Sequence, residues 1–452
     1  MFCTIIVYQK KLINNKFIEF LLHIKVLPFW GGFRWGFFFL MQLIDNKHFR
    51  LTGDIDPLEL TKKYGTPLYL YDSSIIERQY TRLEKAFSNV KSLKINFASK
   101  ALSNINILKI LKNLGSGLDC VSIEEVKVGL HVGFEPQNII FTPNCVAIEE
   151  YLEAVKLGVC INIDSISILE QFGQIHNDYP VCIRINPHIM AGGNSKISVG
   201  HIDSKFGISI YQMPHVERVV QMTGLRVEGI HMHTGSDIFD VEVFLIGAEI
   251  LFNTAKNFKD LTYVDFGSGF KVPYKPNDYS TDIEDLGQKL GARFNQFCKE
   301  IGKDVTLMFE PGKFLVSEAG FFFARVNVVK QTTSSQFAVV DTGLNHLIRP
   351  MFYDSYHHIV NVTNADERPR FYNVVGYICE TDTFAVNRLI NEVIEGDILC
   401  FYNAGAYCMS MASNYNSRPR PTEVLIHNGK DYLIRERETL DDILRNQVDV
   451  DL

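Results

Sequence analysis

The sequence lacks the cysteine pattern of a disulfide-bonded, secreted protein. Its nine cysteines are scattered over 452 residues, their number is odd, and no C-x-x-C pair occurs. Disulfide frameworks and most structural zinc sites depend on an even or closely spaced set of cysteines. We therefore expect reduced thiols and a cytoplasmic protein.

Basic patches are also missing. The chain carries 45 Lys and Arg against 52 Asp and Glu, which gives a net charge of -7, and it has no Arg-rich arm or zinc-finger spacing. Proteins that bind nucleic acid usually concentrate positive charge on one face or in one arm. The composition therefore gives no reason to expect nucleic acid as a partner.

Long apolar runs are absent, even in the unusual first forty residues. Residues 1–40 are aromatic and basic, with Glu19 as the one acidic residue, and Lys25, Arg34 and a Gly pair interrupt the apolar runs. A membrane span needs roughly 18–20 apolar residues, and no small-residue cleavage site of a signal peptide follows. We interpret residues 1–40 as an extension from a mis-assigned start, with Met41 opening the functional chain. A membrane-associating extension is the alternative.

The middle of the chain alternates short apolar segments with segments of helical period. The predicted strands are LKINFAS, GLDCV, NIIFTP, CINID, VCIRINP, VEGIHMHT, TYVDFG and TLMFEPG. The predicted helices are Asn104–Leu114, Ile123–Val132, Ala147–Leu157, Gln212–Met222, Val241–Phe258 and Ile283–Ile301. Eight such units within about 220 residues are typical of a (β/α)8 TIM-type barrel. A doubly wound open sheet is the alternative, although no G-x-G-x-x-G follows the first strand.

The remainder of the chain has the two-residue period of β-strands. Segments such as FFFARVNVVKQ, QFAVVDTG and PTEVLIHNGKDYLIRE alternate apolar and polar residues between turn residues, and TPLYLYD reads as an early strand of the same domain. We therefore predict four parts. They are an extension at 1–40, an N-terminal part of the β domain at 41–72, the barrel at 73–314, and a C-terminal β domain at 315–452.

Nearly every predicted barrel strand ends in a polar or glycine residue. In the stretch LKINFASKAL, the phase of the strand directs Lys94, Asn96, Ala98 and Lys100 inward. An ionised group removed from water costs several kcal/mol unless it is compensated, so Lys100 needs a partner or a covalent role. Comparable tips are Asp119, Asn144, Asp164, Arg184, His233, residues 267–269 and residues 310–313.

Two glycine loops follow the last two predicted strands, where barrels commonly bind phosphate. In DFGSGF, Gly267 and Gly269 would let backbone N–H groups approach an anion, and in EPGKF, Lys313 could add charge. A lysine, a phosphate site and an acidic residue at the end of a strand together favour pyridoxal 5'-phosphate as cofactor. Glu310 is the candidate carboxylate for the protonated pyridine nitrogen.

His233 alternates with His231 in HMHTGS, which leaves two interpretations open. The pair could ligate a metal, but no third ligand at convincing spacing accompanies it, so we expect no metal. A flat imidazole stacked on the cofactor ring is the preferred interpretation, with Ser236 near the phosphate.

Taken together, these motifs resemble the fold-type III pyridoxal-phosphate decarboxylases over about Tyr64 to Ile426. NFASKAL is similar to the lysine motif, HMHTGSD to the histidine motif and EPGK to the E-P-G-R motif, while GSGLDCVSIEE and SKFGI also match. The resemblance implies that Lys100 binds the cofactor covalently, that His233 lies over its ring and that Glu310 meets its nitrogen. The implied cofactor contacts are Lys100, Asp119, Arg184, His233, Ser236, Gly267, Ser268, Gly269, Glu310, Gly312, Lys313 and Tyr407.

The C-terminal motifs narrow the resemblance to the branch that acts on diaminopimelate. LIRPMFYDSYH implies that Arg349 and Tyr353 hold the distal end of the substrate, and GAYCMSMASNYNSRPRPTEVLI implies contacts of Tyr407 with cofactor and substrate. GYICETDTF resembles the motif that reaches into the partner's site, which implies a homodimer in which Cys379 and Glu380 complete the neighbouring site. Cys379 is the suspected acid.

The implied reaction is decarboxylation of meso-2,6-diaminopimelate to L-lysine and carbon dioxide, the last step of lysine biosynthesis. A guanidinium at 349 fits this substrate because it pairs bidentately with a distal carboxylate, which ornithine lacks. A carboxynorspermidine or other basic amino acid decarboxylase of the same fold is the nearest alternative. A cofactor-free Schiff-base aldolase and a non-catalytic relative are the alternatives from other classes.

Two positions depart from the family pattern. Lys313 stands where the motif usually has arginine, and Ser268 replaces the middle one of three glycines. An arginine fork binds carboxylate or phosphate better than a lysine point charge does. We expect the substrate to be bound by Lys313, Arg349, Tyr353, Glu380 and Tyr407. Among these residues, Lys313 is the one that departs from the family pattern.

Overall fold

We describe the protein from a computed structural model over residues 41–44, 48–189 and 204–452. The described residues form a barrel of strands and helices and a second, sheet-based domain. The strands are β1 Gln42–Ile44, β2 His48–Arg50, β3 Leu68–Asp72, β4 Leu93–Ala98, β5 Gly117–Cys120, β6 Ile139–Phe141, β7 Cys160–Ile163, β8 Val181–Asn186, β9 Ile208–Ser209, β10 Val227–Met232, β11 Tyr263–Asp265, β12 Thr306–Phe309, β13 Gly320–Gln331, β14 Gln336–Val340, β15 Ile359–Asn361, β16 Pro369–Val375, β17 Thr383–Asn391, β18 Ile398–Phe401, β19 Thr422–His427 and β20 Lys430–Arg435.

Helices connect most of these strands. They are α1 Pro57–Tyr64, α2 Ser73–Ala86, α3 Ile105–Asn113, α4 Ile123–Val132, α5 Ile148–Leu157, α6 Ile166–Ile175, α7 Met213–Thr223, α8 Val241–Ala255, α9 Ile283–Ile301, α10 Lys313–Val316, α11 Arg349–Tyr353 and α12 Leu440–Leu444. The predicted extension at residues 1–40 lies outside the described residues.

Eight parallel strands close into a barrel, as the sequence predicts. The order is β4-β5-β6-β7-β8-β10-β11-β12, with β12 paired to β4, and the short β9 adds to the end of β8. The pairing of β8 with β10 and of β12 with β4 leaves no open edge, so the doubly wound alternative is wrong. All eight strands run in one direction, which brings their carboxyl ends to one face of the barrel.

The inward phase of β4 agrees with the pattern read from its sequence. Asn96 is fully buried, and its amide nitrogen lies 3.8 Å from the sulfur of Met308 on β12. Lys94 lies at the opposite end of the strand from Lys100, where its ammonium donates a 3.0 Å hydrogen bond to Oδ1 of Asn138. Ile95 and Phe97, which alternate with these residues, belong to the large apolar core.

A second sheet forms the β domain, and the early strand predicted at TPLYLYD belongs to it. β3 lies between β13, to which it is antiparallel, and β19, to which it is parallel. The main path of this sheet is β17-β16-β14-β13-β3-β19-β20, and β18 joins β13 to β15.

The boundaries assigned to the four parts of the chain stay predictions. Among the described helices, none combines the length and apolarity needed to cross a bilayer.

Candidate active site

Lys100 lies at the carboxyl end of the barrel, but not on the strand itself. Strand β4 ends at Ala98, and Lys100 is the middle residue of a 3-10 turn, Ser99–Ala101. Its side chain is 43% exposed, and its ammonium lies 3.2 Å from Oδ2 of Asp119 at the end of β5. Burial alone would lower the pKa of Lys100, but the charges of Asp119 and Glu310 outweigh burial and raise it. The lysine predicted to need a partner therefore has a carboxylate partner in this structure.

Glu310 follows β12 and faces into the same pocket. Its Oε2 lies 3.1 Å from Nε2 of His231, and both side chains are buried. Burial would raise the pKa of Glu310, but the charge and hydrogen bond of His231 lower it to about 2. Oε1 of Glu310 is buried and finds no hydrogen-bond partner among the described residues. An ionised carboxylate with one unsatisfied oxygen suits a protonated ring nitrogen.

The DFGSGF loop passes close to its neighbours, which only glycine allows. Gly267 has φ 59° and Gly269 has φ 110°. A Cβ on Gly267 would lie 2.7 Å from Nδ1 of His233, and one on Gly269 would lie 2.5 Å from the carbonyl oxygen of Gly235. Two of the N–H groups in the loop are already engaged, because Gly267 donates to Oδ1 of Asp265 at 2.8 Å and Ser268 donates to Nδ1 of His233 at 3.2 Å.

His233 lies just beyond the end of β10 and keeps its Nδ1 as an acceptor. Burial and the nearby charges of Arg184 and Lys100 lower its pKa well below the ordinary value, so the imidazole is neutral. Arg184 is buried and donates a 2.6 Å hydrogen bond to Oδ1 of Asn144. His231, not His233, belongs to the one group of potential metal ligands among the described residues, together with Asp265 and Glu310. Sequence spacing could not show this triad because its members come from three strands.

Lys313 has a carboxylate partner that the sequence analysis did not identify. Its ammonium donates a 2.6 Å hydrogen bond to Oδ1 of Asp237, and the Lys313 side chain is only 8% exposed. Burial lowers the pKa of Lys313, and the charge of Asp237 only partly offsets this effect. Ser236 and Gly312 lie beside this pair on the pocket wall, and a Cβ on Gly312 would lie 3.0 Å from the hydroxyl of Tyr407.

Arg349 lies among three tyrosines, of which Tyr407 also lines the pocket. The guanidinium carbon of Arg349 lies 6.0 Å from the ring centre of Tyr407, 5.6 Å from that of Tyr353 and 5.7 Å from that of Tyr274. Arg349 is 7% exposed, and its Nε has no hydrogen-bond partner among the described residues. The backbone N–H of Tyr407 donates to the carbonyl of Ala101 at 2.9 Å, which fixes the tyrosine beside the turn that carries Lys100.

Cys379 and Glu380 are not brought to this pocket within the single chain. Both are exposed, and neither contributes to the pocket wall. Cys379 accepts a 3.7 Å contact to its sulfur from the amide of Asn416, and Glu380 accepts a hydrogen bond from the hydroxyl of Tyr415. Most of the other predicted residues line the pocket together with Lys100, whereas Gly267, Arg349 and Tyr353 lie outside its wall and Cys379 and Glu380 are exposed.

Several residues of the site were not predicted, including Ala98, His231 and Phe270 on the pocket wall. Thr142 is part of the pocket wall, Asp237 pairs with Lys313, Asp265 holds the glycine loop and Tyr274 lies beside Arg349. Asp237 and Asp265 stand within the quoted motifs HMHTGSD and DFGSGF, so a signal was present for these two. Thr142 and Tyr274 carry no local signal, because only the closed barrel brings them to the site.

The donor set fits pyridoxal phosphate. Oε1 of Glu310 and Oδ1 of Asp119 are both buried with no hydrogen-bond partner among the described residues, and Ser268 and Gly269 of the glycine loop line the same pocket. A closed parallel barrel with a lysine, a glycine loop and a free carboxylate at its carboxyl end defines a pyridoxal-phosphate enzyme of the barrel type. Residues 73–317 match the family model for the pyridoxal-binding domain of pyridoxal-dependent decarboxylases.

Comparison with curated proteins and solved structures identifies the family within this class. The chain is 39% identical over 414 residues to the diaminopimelate decarboxylase of Methanothermobacter thermautotrophicus, covering 89% of this chain and 96% of that protein. It is 36% identical over 405 residues to the Escherichia coli K12 enzyme of the same name, covering 86% and 95%. The diaminopimelate decarboxylase of Helicobacter pylori, solved with L-lysine, superposes with a TM-score of 0.78 at 33% identity, covering 86% and 98%. The chain belongs to the diaminopimelate decarboxylase family.

Proposed function

We propose that this chain decarboxylates meso-2,6-diaminopimelate to L-lysine and carbon dioxide with pyridoxal phosphate, the last step of lysine biosynthesis. The observation that carries the proposal is Arg349, a buried guanidinium beside Tyr353 and Tyr407 whose Nε has no hydrogen-bond partner in the described part of the chain. One terminal nitrogen of Arg349 donates a 3.3 Å hydrogen bond to Oγ of Ser355, but no described carboxylate forms an ion pair with the guanidinium. Because a buried cation without a direct partner is costly, the site favours a ligand that brings an anion. The distal carboxylate of diaminopimelate is such an anion, and ornithine has none.

Lys100 would hold the cofactor covalently, and Glu310 would meet its ring nitrogen. The neutral imidazole of His233 would stack on the ring, while Ser236, Gly269 and Gly312 would face its phosphate. Asp119, Arg184, Gly267, Ser268, Lys313 and Tyr407 complete the proposed cofactor contacts. When bound, pyridoxal phosphate supplies the electron sink that decarboxylation requires.

The substrate's distal end would lie between the barrel and the β domain. The Arg349 fork would bind the distal carboxylate through two parallel hydrogen bonds, and Tyr353 and Tyr407 would close the sides. Lys313 would add a second positive charge, although Asp237 already holds its ammonium at 2.6 Å. Water would be excluded on the reacting side by the buried groups around Glu310.

We further propose a cytoplasmic homodimer with shared active sites. The exposure of Cys379 and Glu380, away from the pocket of their own chain, supports a role in the partner's site. In that role Cys379 would deliver a proton to the α-carbon and Glu380 would receive the distal ammonium. Mixing inactive Lys100→Ala and Cys379→Ala proteins under conditions of subunit exchange should restore roughly a quarter of the wild-type activity, because half the dimers then hold one intact site. No recovery after demonstrated exchange would contradict sharing.

Substitution of Arg349 tests the proposed substrate. Arg349→Met should lower kcat/KM for meso-diaminopimelate by about 100-fold, since a buried charge pair is lost. Arg349→Lys keeps the charge but loses the fork, and should lower kcat/KM by about tenfold. The visible absorption of bound cofactor serves as the control and should be the same in both variants. An unchanged KM for meso-diaminopimelate in Arg349→Met would rule out this assignment.

A further inference from the structure

Three buried ionisable side chains meet inside the barrel, and two of them, His231 and Glu310, also line the pocket. His231 on β10 and Asp265 on β11 are direct neighbours in the register of the parallel pair, so both project from the same face. Asp265 is in turn the register partner of Met308 on β12, and Glu310 follows two residues later on the same phase. The ligand atoms of His231, Asp265 and Glu310 all lie within 4.8 Å of one another.

The carboxylates of Asp265 and Glu310 lie close together, and the described hydrogen-bond donors satisfy only one oxygen of each. His231 engages Oε2 of Glu310, and the N–H of Gly267 engages Oδ1 of Asp265. Oδ2 of Asp265 and Oε1 of Glu310 are buried and have no hydrogen-bond partner among the described residues. Two carboxylates this close and this well buried cannot both be ionised without a large repulsion. One of them must therefore carry a proton.

The contacts assign that proton to Asp265, because Glu310 has the His231 side chain 3.1 Å from its Oε2, whereas Asp265 receives only the backbone N–H of Gly267. Burial and the nearby charge of Glu310 raise the pKa of Asp265 well above its ordinary value. Glu310 has the opposite tendency because His231 contacts it directly. A protonated Asp265 is a hydrogen-bond donor, whereas an ionised one could only accept.

We propose that Asp265 is a positioning residue, a neutral carboxylic acid that donates a hydrogen bond to Glu310 while its other oxygen holds the N–H of Gly267. Asp265 thereby links the carboxylate that faces the cofactor ring nitrogen to the loop that faces the phosphate, so that both ends of the cofactor site are fixed by one side chain. This inference rests on the proposed function, because it assumes that pyridoxal phosphate occupies the pocket.

Two substitutions separate a neutral donor from an anion. Asp265→Asn keeps an acceptor for Gly267 and an N–H donor for Glu310, and should bind pyridoxal phosphate within about threefold of the wild type. Asp265→Leu removes both contacts and should weaken cofactor binding by about 10- to 100-fold. Its kcat should fall while its KM for meso-diaminopimelate stays unchanged, because Arg349 is untouched. Cofactor affinity is measured by titrating purified apoprotein and following visible absorption, which needs no turnover.

Each outcome decides the matter. Equal weakening in Asp265→Asn and Asp265→Leu shows that the negative charge is needed and overturns the proposal, as does wild-type affinity in Asp265→Leu. A stoichiometric metal in the purified wild type, bound by this triad, also overturns it. If Asp265→Leu does not fold, as judged by thermal unfolding, Asp265→Asn decides alone. A wild-type protein that binds no pyridoxal phosphate overturns the proposed function and this inference together, whereas a loss confined to the role of Asp265 leaves the proposed function standing.

Discussion

Three lysines inside the barrel have different surroundings, and only one is suited to hold the cofactor. Lys94 is tied to Asn138 at the far end of β4, and Lys313 is held by Asp237 with 8% of its side chain exposed. Lys100 is 43% exposed at the carboxyl end of the barrel, and its ammonium contacts Asp119. Tyr407 is hydrogen-bonded to the turn that carries Lys100. Access to the aldehyde of the cofactor therefore favours Lys100, even though burial lowers the pKa of both Lys94 and Lys313 while that of Lys100 is raised.

Borohydride reduction of the cofactor-loaded protein should attach the pyridoxyl group to Lys100. Peptide mass spectrometry identifies the modified lysine, and Lys100→Ala should abolish the adduct. Lys94→Ala is the matched control, because it removes a lysine from strand β4, which leads into the turn that carries Lys100, and it should leave labelling unchanged. Labelling at Lys313 in the wild-type protein would show that the wrong lysine has been assigned.

At the scale of single residues, the sequence revealed what lies within one motif. Lys100 and Glu310 follow from strand phase and from the short motifs around them. The pairs Lys313–Asp237 and Asp265–Glu310 could not be predicted, because their members are separated in the chain and meet only when β10, β11 and β12 are adjacent. Residue pairs that depend on barrel closure have no signature in local spacing.

Between elements, the helix after Lys100 is anchored to the β domain by one side chain. Asn104 caps α3 by accepting the N–H of Asn106 at 3.0 Å, and its amide nitrogen donates to Oε2 of Glu423 on β19 at 3.0 Å. Glu423 is fully buried, and its other oxygen accepts a 2.8 Å hydrogen bond from Tyr71 on β3. Asn104 therefore joins the segment that carries Lys100 to the second sheet.

Asn104→Ala should reduce the free energy of unfolding by about 2–4 kcal/mol. Loss of the cap costs about 1 kcal/mol, and loss of a donor to a buried carboxylate adds about 1–3 kcal/mol. Ser122→Ala is the matched control, because Ser122 caps α4 at 3.2 Å without reaching the β domain, and it should cost about 1 kcal/mol. Denaturant unfolding of both variants measures the difference, and equal losses would contradict the anchoring role of Asn104.

Helix limits were predicted well where the chain carries both end signals. Residues Ile123–Val132 form α4 as predicted, because Ser122 caps the start and Gly133 adopts φ 92° at the end. The helix predicted as Val241–Phe258 ends at Ala255, since the N–H groups of Asn257 and Phe258 bond to carbonyls three residues back. The apolar Phe258 continued the helical period into that terminal turn, and periodicity alone could not show where the tightening begins.

For the molecule as a whole, buried neutral histidines couple stability to pH. Burial lowers the pKa of His357 to about 3 and that of His346 to about 4, compared with about 6.5 in an unfolded chain. His357 has its Nδ1 2.8 Å from the carbonyl of Tyr402, and His346 lies 3.0 Å from that of Pro419. Below pH 6.5 the unfolded chain binds protons that the folded chain does not. The free energy of unfolding therefore decreases as the pH is lowered.

Stability should therefore decline as pH falls from 6.5 toward 4. At pH 5 each of the two histidines should lower the free energy of unfolding by roughly 2 kcal/mol relative to pH 7. His357→Asn keeps a donor for Tyr402 but cannot titrate, so its urea midpoint should change less between pH 7 and pH 5 than the wild-type midpoint. The same pH dependence in both proteins would mean that His357 does not stay neutral in the fold.

The substrate preference of the wild-type chain tests the central claim most directly. Purified protein loaded with pyridoxal phosphate is offered meso-diaminopimelate, ornithine, lysine and carboxynorspermidine separately, and carbon dioxide and amine products are measured. We expect equimolar carbon dioxide and L-lysine from meso-diaminopimelate, with kcat/KM at least about 100-fold above that for ornithine, because only meso-diaminopimelate brings a distal carboxylate to Arg349. Turnover of ornithine or carboxynorspermidine in preference to meso-diaminopimelate would contradict this expectation.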